Sequence, residues 1–95
     1  MVITVLEGKV PVDKTTLLIE KYREIVSQKP PSIKKTYLAN DAAMPMVWRI
    51  ITVWRSQEDL ESMRKQGTPA GVLVFRVAGS EPVLSVYQVK EQSTE

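Results

Sequence analysis

The stretch VWRIITVWRSQEDLESM, residues 47–63, holds both tryptophans of the chain and passes directly from a β-branched, aromatic run into a carboxylate-rich segment. Trp48 and Trp54 are six positions apart. An even spacing puts them on one side of an extended strand, with Ile50 and Thr52 between them. That side is either core or the wall of a pocket. After Trp54, the residues Ser56 to Asp59 carry the Ser-x-x-acid pattern of a capping box, so a helix is predicted from Ser56 to near Gly67. Leu60 and Met63 are its clear inward pair, which makes it a helix that covers a sheet by one narrow stripe.

Working outward, MVITVLEGKV is rich in β-branched residues and stops at Pro11, as a first strand should. Asp13 is placed to cap a helix running to about Gln28, because Leu18, Tyr22, Ile25 and Val26 recur at helical spacing and charged residues take the other face. Pro30 and Pro31 end it. SIKKTYLA reads as a second strand, and NDAAMP as the loop of a hairpin into the tryptophan strand. GVLVFRV and VLSVYQV read as two further strands joined by the turn AGSEP. The expected order is strand, helix, strand, strand, helix, strand, strand. This is the split β-α-β arrangement of a ferredoxin-like α+β domain, with two helices on one face of an antiparallel sheet and an extra carboxy-terminal strand. Residues 1–90 are expected to form that one domain and residues 91–95 a polar tail.

Composition narrows the chemistry. Of 95 residues, 43% are apolar and 25% charged, the balance of an ordinary globule. Cysteine and histidine are both absent, which removes disulfides, thiolate chemistry and the usual neutral-pH base and metal ligand. Thirteen basic residues stand against eleven acidic ones, interspersed along the chain, so no nucleic-acid footprint is expected. No run approaches the roughly 20 apolar residues of a membrane span, and no signal-peptide pattern opens the chain, so a cytoplasmic protein without a membrane partner is expected. Several strands carry apolar residues on both sides, such as Ile51 and Val53 opposite Ile50 and Trp54. A homodimer through the free sheet face is the expected partner arrangement.

IITVWRSQEDLESM, residues 50–63, set in this order of elements, resembles the antibiotic biosynthesis monooxygenase family. The resemblance implies a dimeric α/β barrel with a ligand cavity between helices and sheet in each subunit. It also implies an activity in the range of the cofactor-independent quinol and anthrone oxygenases and the haem-degrading monooxygenases. Trp54 matches the aromatic that closes the third strand in many members. Met63 stands where relatives often have histidine or tryptophan, and Thr52 where many carry glutamate. The haem-degrading branch uses a histidine ligand and a first-strand asparagine, and VITVLEGKV offers neither.

The candidate residues each have a plain structural reading beside the functional one. Trp48 and Trp54 either pack in the core or flank a flat aromatic substrate. Met63 is a gap-filler or an adaptable pocket wall. Tyr22 snorkels, or its hydroxyl orients a phenol. Asn40 and Asp41 suit a turn, and Asp41 becomes the candidate carboxylate base if its loop folds over the pocket, with Asn40 beside it as a substrate contact. Arg49, Arg55 and Arg76 either pair with carboxylates or meet an anion. Two functions are compatible with this set. One is a cofactor-free oxygenase of an electron-rich aromatic, quinol or anthrone, requiring no metal or organic cofactor. The other is a non-catalytic dimeric domain that binds a small apolar ligand or is purely structural.

Overall fold

In the first strand, β1 (Val2–Lys9), the residues Val2, Thr4, Leu6 and Gly8 are buried and their neighbours are not, a period of two that marks one covered face. The computed structural model describes residues 1–93. A 3-10 turn (Val12–Lys14) follows, then helix α1 (Thr15–Val26), strands β2 (Ile33–Asn40) and β3 (Val47–Trp54), helices α2 (Gln57–Lys65) and α3 (Ala70–Val77), and strand β4 (Val83–Gln88). The sheet is antiparallel throughout, in the order β2-β3-β1-β4. That is a ferredoxin-like α+β fold. Of the tail expected at 91–95, residues 91–93 lie outside any helix or strand, and residues 94 and 95 lie outside the described residues. Among the described residues no helix is long and apolar enough to cross a membrane.

Several expectations are met in detail. Ser56 is the N-cap of α2, its Oγ accepting from the Asp59 backbone N–H at 3.1 Å. Two acidic residues in its first turn and two basic ones in its last complement the helix dipole. Leu60 is fully packed and Met63 leans on the same cluster. Trp48, Ile50, Thr52 and Trp54 all face the helices, and Arg49 lies on the opposite side, where it meets Glu7.

Two expectations are corrected. Asp13 does not cap α1, because the chain first makes a 3-10 turn and no side chain caps the helix at Lys14. GVLVFRV is not a strand: it forms α3, so the sheet has four strands and three helices cover its face. A continuous apolar run of this length fits a buried helix as well as a buried strand. The deciding signals flank it. Pro69 precedes the first turn, and Gly79 follows the last with φ +74°, the left-handed conformation that glycine adopts without strain. Ser80 N–H donates to the Phe75 carbonyl and Gly79 N–H to the Arg76 carbonyl, both at 3.0 Å, the paired bonds of a Schellman motif. Within the helix Val74, Phe75 and Ala78 turn inward and Leu73 and Val77 outward, a helical rather than an alternating pattern.

The helix layer is divided. α1 and α3 pack on each other and over Leu6, Val10 and Ile50, with Phe75 and Leu18 at the centre. α2 stands apart over Val2 and Trp54. Phe75 sits so close to β1 that a Cβ added to Gly8 would approach its ring to 2.8 Å and Ser80 Oγ to 2.7 Å. A fully buried ring has nowhere to go, so Gly8→Ala is expected to destabilise the protein by about 1 to 3 kcal/mol in urea titration. At Gly71 the added methyl would meet only the tip of Leu6, which can rotate, and alanine improves helix propensity by about 1 kcal/mol, so Gly71→Ala should cost less. Equal losses for the two variants would show that α3 is not seated on β1 at Gly8.

Candidate functional site

Between the two packed groups of helices lies a cavity of about 450 Å³, within the range of small-molecule sites. Its floor is the covered face of the sheet: Thr4, Leu6, Thr36, Ile50, Thr52 and Trp54. Tyr22 and Ile25 of α1, Leu60 and Met63 of α2, and Gly71 and Val74 of α3 form the walls. The lining is mostly apolar. The space exists for a local reason. Thr36 pairs with Thr52 and Thr52 with Thr4 in the register of three adjacent strands, so three short side chains stand in a row where larger ones would fill the gap.

The same row supplies the polarity. Tyr22 Oη donates to Thr36 Oγ1 at 3.3 Å, and Thr36 Oγ1 and Thr52 Oγ1 are 3.4 Å apart. Thr4 Oγ1 accepts from the indole Nε1 of Trp54 at 3.0 Å. That bond satisfies a nitrogen on a side chain only 3% exposed and restrains the ring in the lining of the cavity. A hydroxyl carries one donor and two acceptor positions, so these threonines retain capacity to bond a ligand oxygen after bonding each other. The row can therefore donate to a phenolate or enolate lying on the floor.

The sequence candidates separate. Tyr22, Trp54 and Met63 line the cavity together. Trp48 does not. It packs against the Phe75 cluster, opposite Gly8 and Asn40, and six residues of strand put it about 20 Å from Trp54. That is too far for both rings to flank one small substrate. Asn40 is also outside, its Nδ2 donating to the carbonyls of Pro45 and Val47 at 2.9 and 3.0 Å and so holding the hairpin loop.

Asp41 is likewise a loop residue. Its Oδ1 accepts from the backbone N–H groups of Ala43 and Met44, both at 2.8 Å, and its Oδ2 from Arg49 at 2.8 Å. The Arg49 guanidinium, with those two backbone donors, holds its carboxyl below the usual carboxylate range. Its loop does not fold over the cavity, and a carboxylate so stabilised and so placed is not the base of this site. Arg49 bridges it to Glu7, whose Oε1 accepts from Nε at 2.7 Å.

What sequence reading missed is the threonine row and the charges at the mouth. Each threonine sits at an inward position of its own strand, and that parity is visible. Their alignment depends on register across β2, β3 and β1, which no local signal specifies. At the mouth, Arg76 donates to both oxygens of Glu81, at 3.0 and 2.9 Å. The pairing keeps Glu81 below the usual carboxylate range, so it too stays ionised near neutral pH.

Neither a family model nor a curated protein matches the sequence. Solved structures do match in shape. A candidate antibiotic biosynthesis monooxygenase from Deinococcus radiodurans superposes with a TM-score of 0.77 at 12% identity, over 100% of this chain and 98% of that one. SnoaB, a cofactor-independent oxygenase from Streptomyces nogalater, gives 0.67 at 13% identity, over 99% and 97%. A variant of MhuD, with two manganese protoporphyrin IX molecules per active site, gives 0.74 at 12% identity over the whole of both chains. The chain has the fold of the antibiotic biosynthesis monooxygenases. At these identities the likeness is one of architecture.

The loop role of Asp41 has a pH signature. A carboxyl whose pKa is lowered on folding contributes stability above its unfolded pKa and loses it as pH falls through the lowered native value. Asp41→Asn is therefore expected to lower the melting temperature at pH 7, with the gap to wild type closing at strongly acidic pH. A gap that stays constant down to acid, or a loss of ligand binding at pH 7 with unchanged stability, would contradict this assignment.

Proposed function

We propose that this chain is a homodimeric, cofactor-independent monooxygenase of an electron-rich aromatic, of the quinol or anthrone type. The observation that carries the reading is the cavity, with an indole, a thioether and a phenol around an apolar space and a row of hydroxyls on its floor. SnoaB, described as a cofactor-independent oxygenase, shares the architecture and supports it.

The reaction asks little of the protein. An anthrone anion transfers an electron to dioxygen, the radical pair combines at the reduced carbon, and loss of water leaves the quinone: one dioxygen consumed, one oxygen atom inserted, one water released. The substrate supplies the electrons. The protein must bind it, exclude bulk water and stabilise the anion. Tyr22 already donates to Thr36, and the Thr36–Thr52 bond uses one proton, so one hydroxyl of that pair, with Thr4 beside it, is left to donate to the substrate oxygen that carries the charge. Donors to a developing oxyanion in a dry site are among the strongest catalytic contributions. With neither Asp41 nor Glu81 available as a free base, the rate should follow the ionisation of the substrate itself. No acid limb from a protein carboxylate is expected.

Oxygen uptake with a panel of dihydroquinones and anthrones tests the proposal. Saturable uptake that rises with pH toward the substrate's own pKa, and falls at least about tenfold in Thr52→Val, is the expected result. A panel member that binds, shown by quenching of Trp54 emission in a Trp48→Phe variant, with no uptake above the uncatalysed rate would sink it. The non-catalytic ligand-binding reading would then stand.

The dimer belongs to the same proposal. On the uncovered face of the sheet, Ile3, Val5, Ile51 and Val53 form an apolar centre flanked by Tyr37 and Tyr87, which are 51% and 55% exposed. Apolar strips of this kind are characteristic of contact surfaces, and a two-fold pairing of like faces would cover it. Light scattering at micromolar concentration is expected to give twice the 10.7 kDa chain mass, and Val53→Lys, which puts a charge in the centre of the strip, to give the monomer. A wild-type monomer would refute the dimer.

A further inference from the structure

The cavity wall is unbalanced in charge. Lys29, Arg64 and Arg76 contribute three cations, and Glu81 is the one carboxylate. Arg76 is committed to Glu81 by two hydrogen bonds, so that pair is neutral. Two cations are left over. Lys29 gives one of its three N–H groups to the Ile33 carbonyl at 2.9 Å and forms no ion pair among the described residues. Arg64 forms no ion pair among the described residues.

The position of Arg64 adds to this. It lies one turn after Leu60 and beside Met63, on the stripe of α2 turned toward the sheet. An apolar side chain there would close the edge of the cavity. Arg64 instead both lines the cavity and is exposed, which puts it where the cavity meets solvent. Lys29 comes to the same lining from the loop after α1. A carboxylate gains more from both than a neutral aromatic does, because its hydrogen bonds to them are charge-assisted on both sides.

We infer that the ligand of this cavity is an aromatic acid, anionic at neutral pH, with its rings beside Trp54 and Met63 and its carboxylate at the opening with Arg64 and Lys29. The inference deepens the function proposed above by naming the substrate class. It rests on that reading for the chemistry only, because binding needs no oxygen.

The test is calorimetric titration with 2-naphthoate and with 2-naphthamide, which has nearly the same shape and no charge. Naphthoate is expected to bind at least about fivefold more tightly at low salt, with the difference shrinking at 0.5 M sodium chloride as screening weakens exposed charges. Arg64→Gln should remove most of the preference and leave naphthamide unchanged. Arg64→Glu should reverse it. Both cations are exposed, so the variants should keep the wild-type melting temperature, which checks that they are folded. Equal binding of acid and amide, a parallel loss of both in Arg64→Gln, or no binding of either probe would overturn the inference. The two proposals fail separately. Naphthoate selectivity without oxygen uptake from any quinol removes the oxygenase and leaves the acid site, and uptake from neutral quinols without selectivity does the reverse.

Discussion

The seat of Phe75 on Gly8 is the contact from which the rest of the arrangement follows. An aromatic ring can lie on a strand only where the strand has no side chain, and the Cβ of any other residue at position 8 would stand within van der Waals range of it. With Phe75 down, α3 is tied to β1, and α1 closes over both with Leu18 in the same buried cluster. The Schellman turn at Gly79 then sends the chain back to the sheet as β4, beside β1. α2 has no share in this cluster. It is held by Leu60 over Trp54 and Val2, at the other end of β1 and β3. The cavity is what a helix layer anchored at two separate points leaves in the middle.

A gap in a protein interior is normally filled, because unpaired surfaces lose dispersion contacts and cost stability. Here the floor of the gap is three threonines in register, each shorter than the leucine or isoleucine beside it. Their hydroxyls would be a burden in a dry core, since an unmatched buried polar group costs about 1 to 3 kcal/mol. They meet that cost by bonding one another, Tyr22 and the Trp54 indole. The arrangement is self-satisfied and still has donors and acceptors to spare. Such a floor is suited to receive a ligand oxygen, and the packing around it is not disturbed when none is present.

The sequence revealed the strands, the capped helix α2 and the inward side of the tryptophan strand, because periodicity and capping are local. It misled at residues 71–77, where Val, Leu and Phe give the same apolar run in either conformation and tertiary burial decides. Pro69 and Gly79 carried the information and were outweighed by β-propensity. At the site, Tyr22, Trp54 and Met63 were legible as inward residues of an amphipathic pattern. Asp41 and Asn40 were equally legible as turn formers, and that is how the structure uses them. Trp48 shares a face with Trp54 as its spacing requires, yet a face is not a location, and distance along the strand separates the core ring from the cavity ring. The threonine row and the presence of Lys29 and Arg64 in the lining of one cavity depend on which elements become neighbours, a property of the whole chain.

The absence of histidine, which removes the usual neutral-pH base, has a different weight once the site is built. General acid-base catalysis needs a group that titrates near the working pH, within hydrogen-bond reach of the transferred proton. The carboxylates identified near the fold's edges, Asp41 and Glu81, are both held ionised by arginines, and both are occupied by those partners. A reaction in such a cavity must therefore draw its acid-base chemistry from the substrate. An acidic phenol or anthrone in a site with hydroxyl donors below it and cations at its opening loses its proton more readily, because both features favour its anion. The protein then contributes field and shape in place of a titrating residue, a division of labour that a chain without histidine or cysteine can sustain.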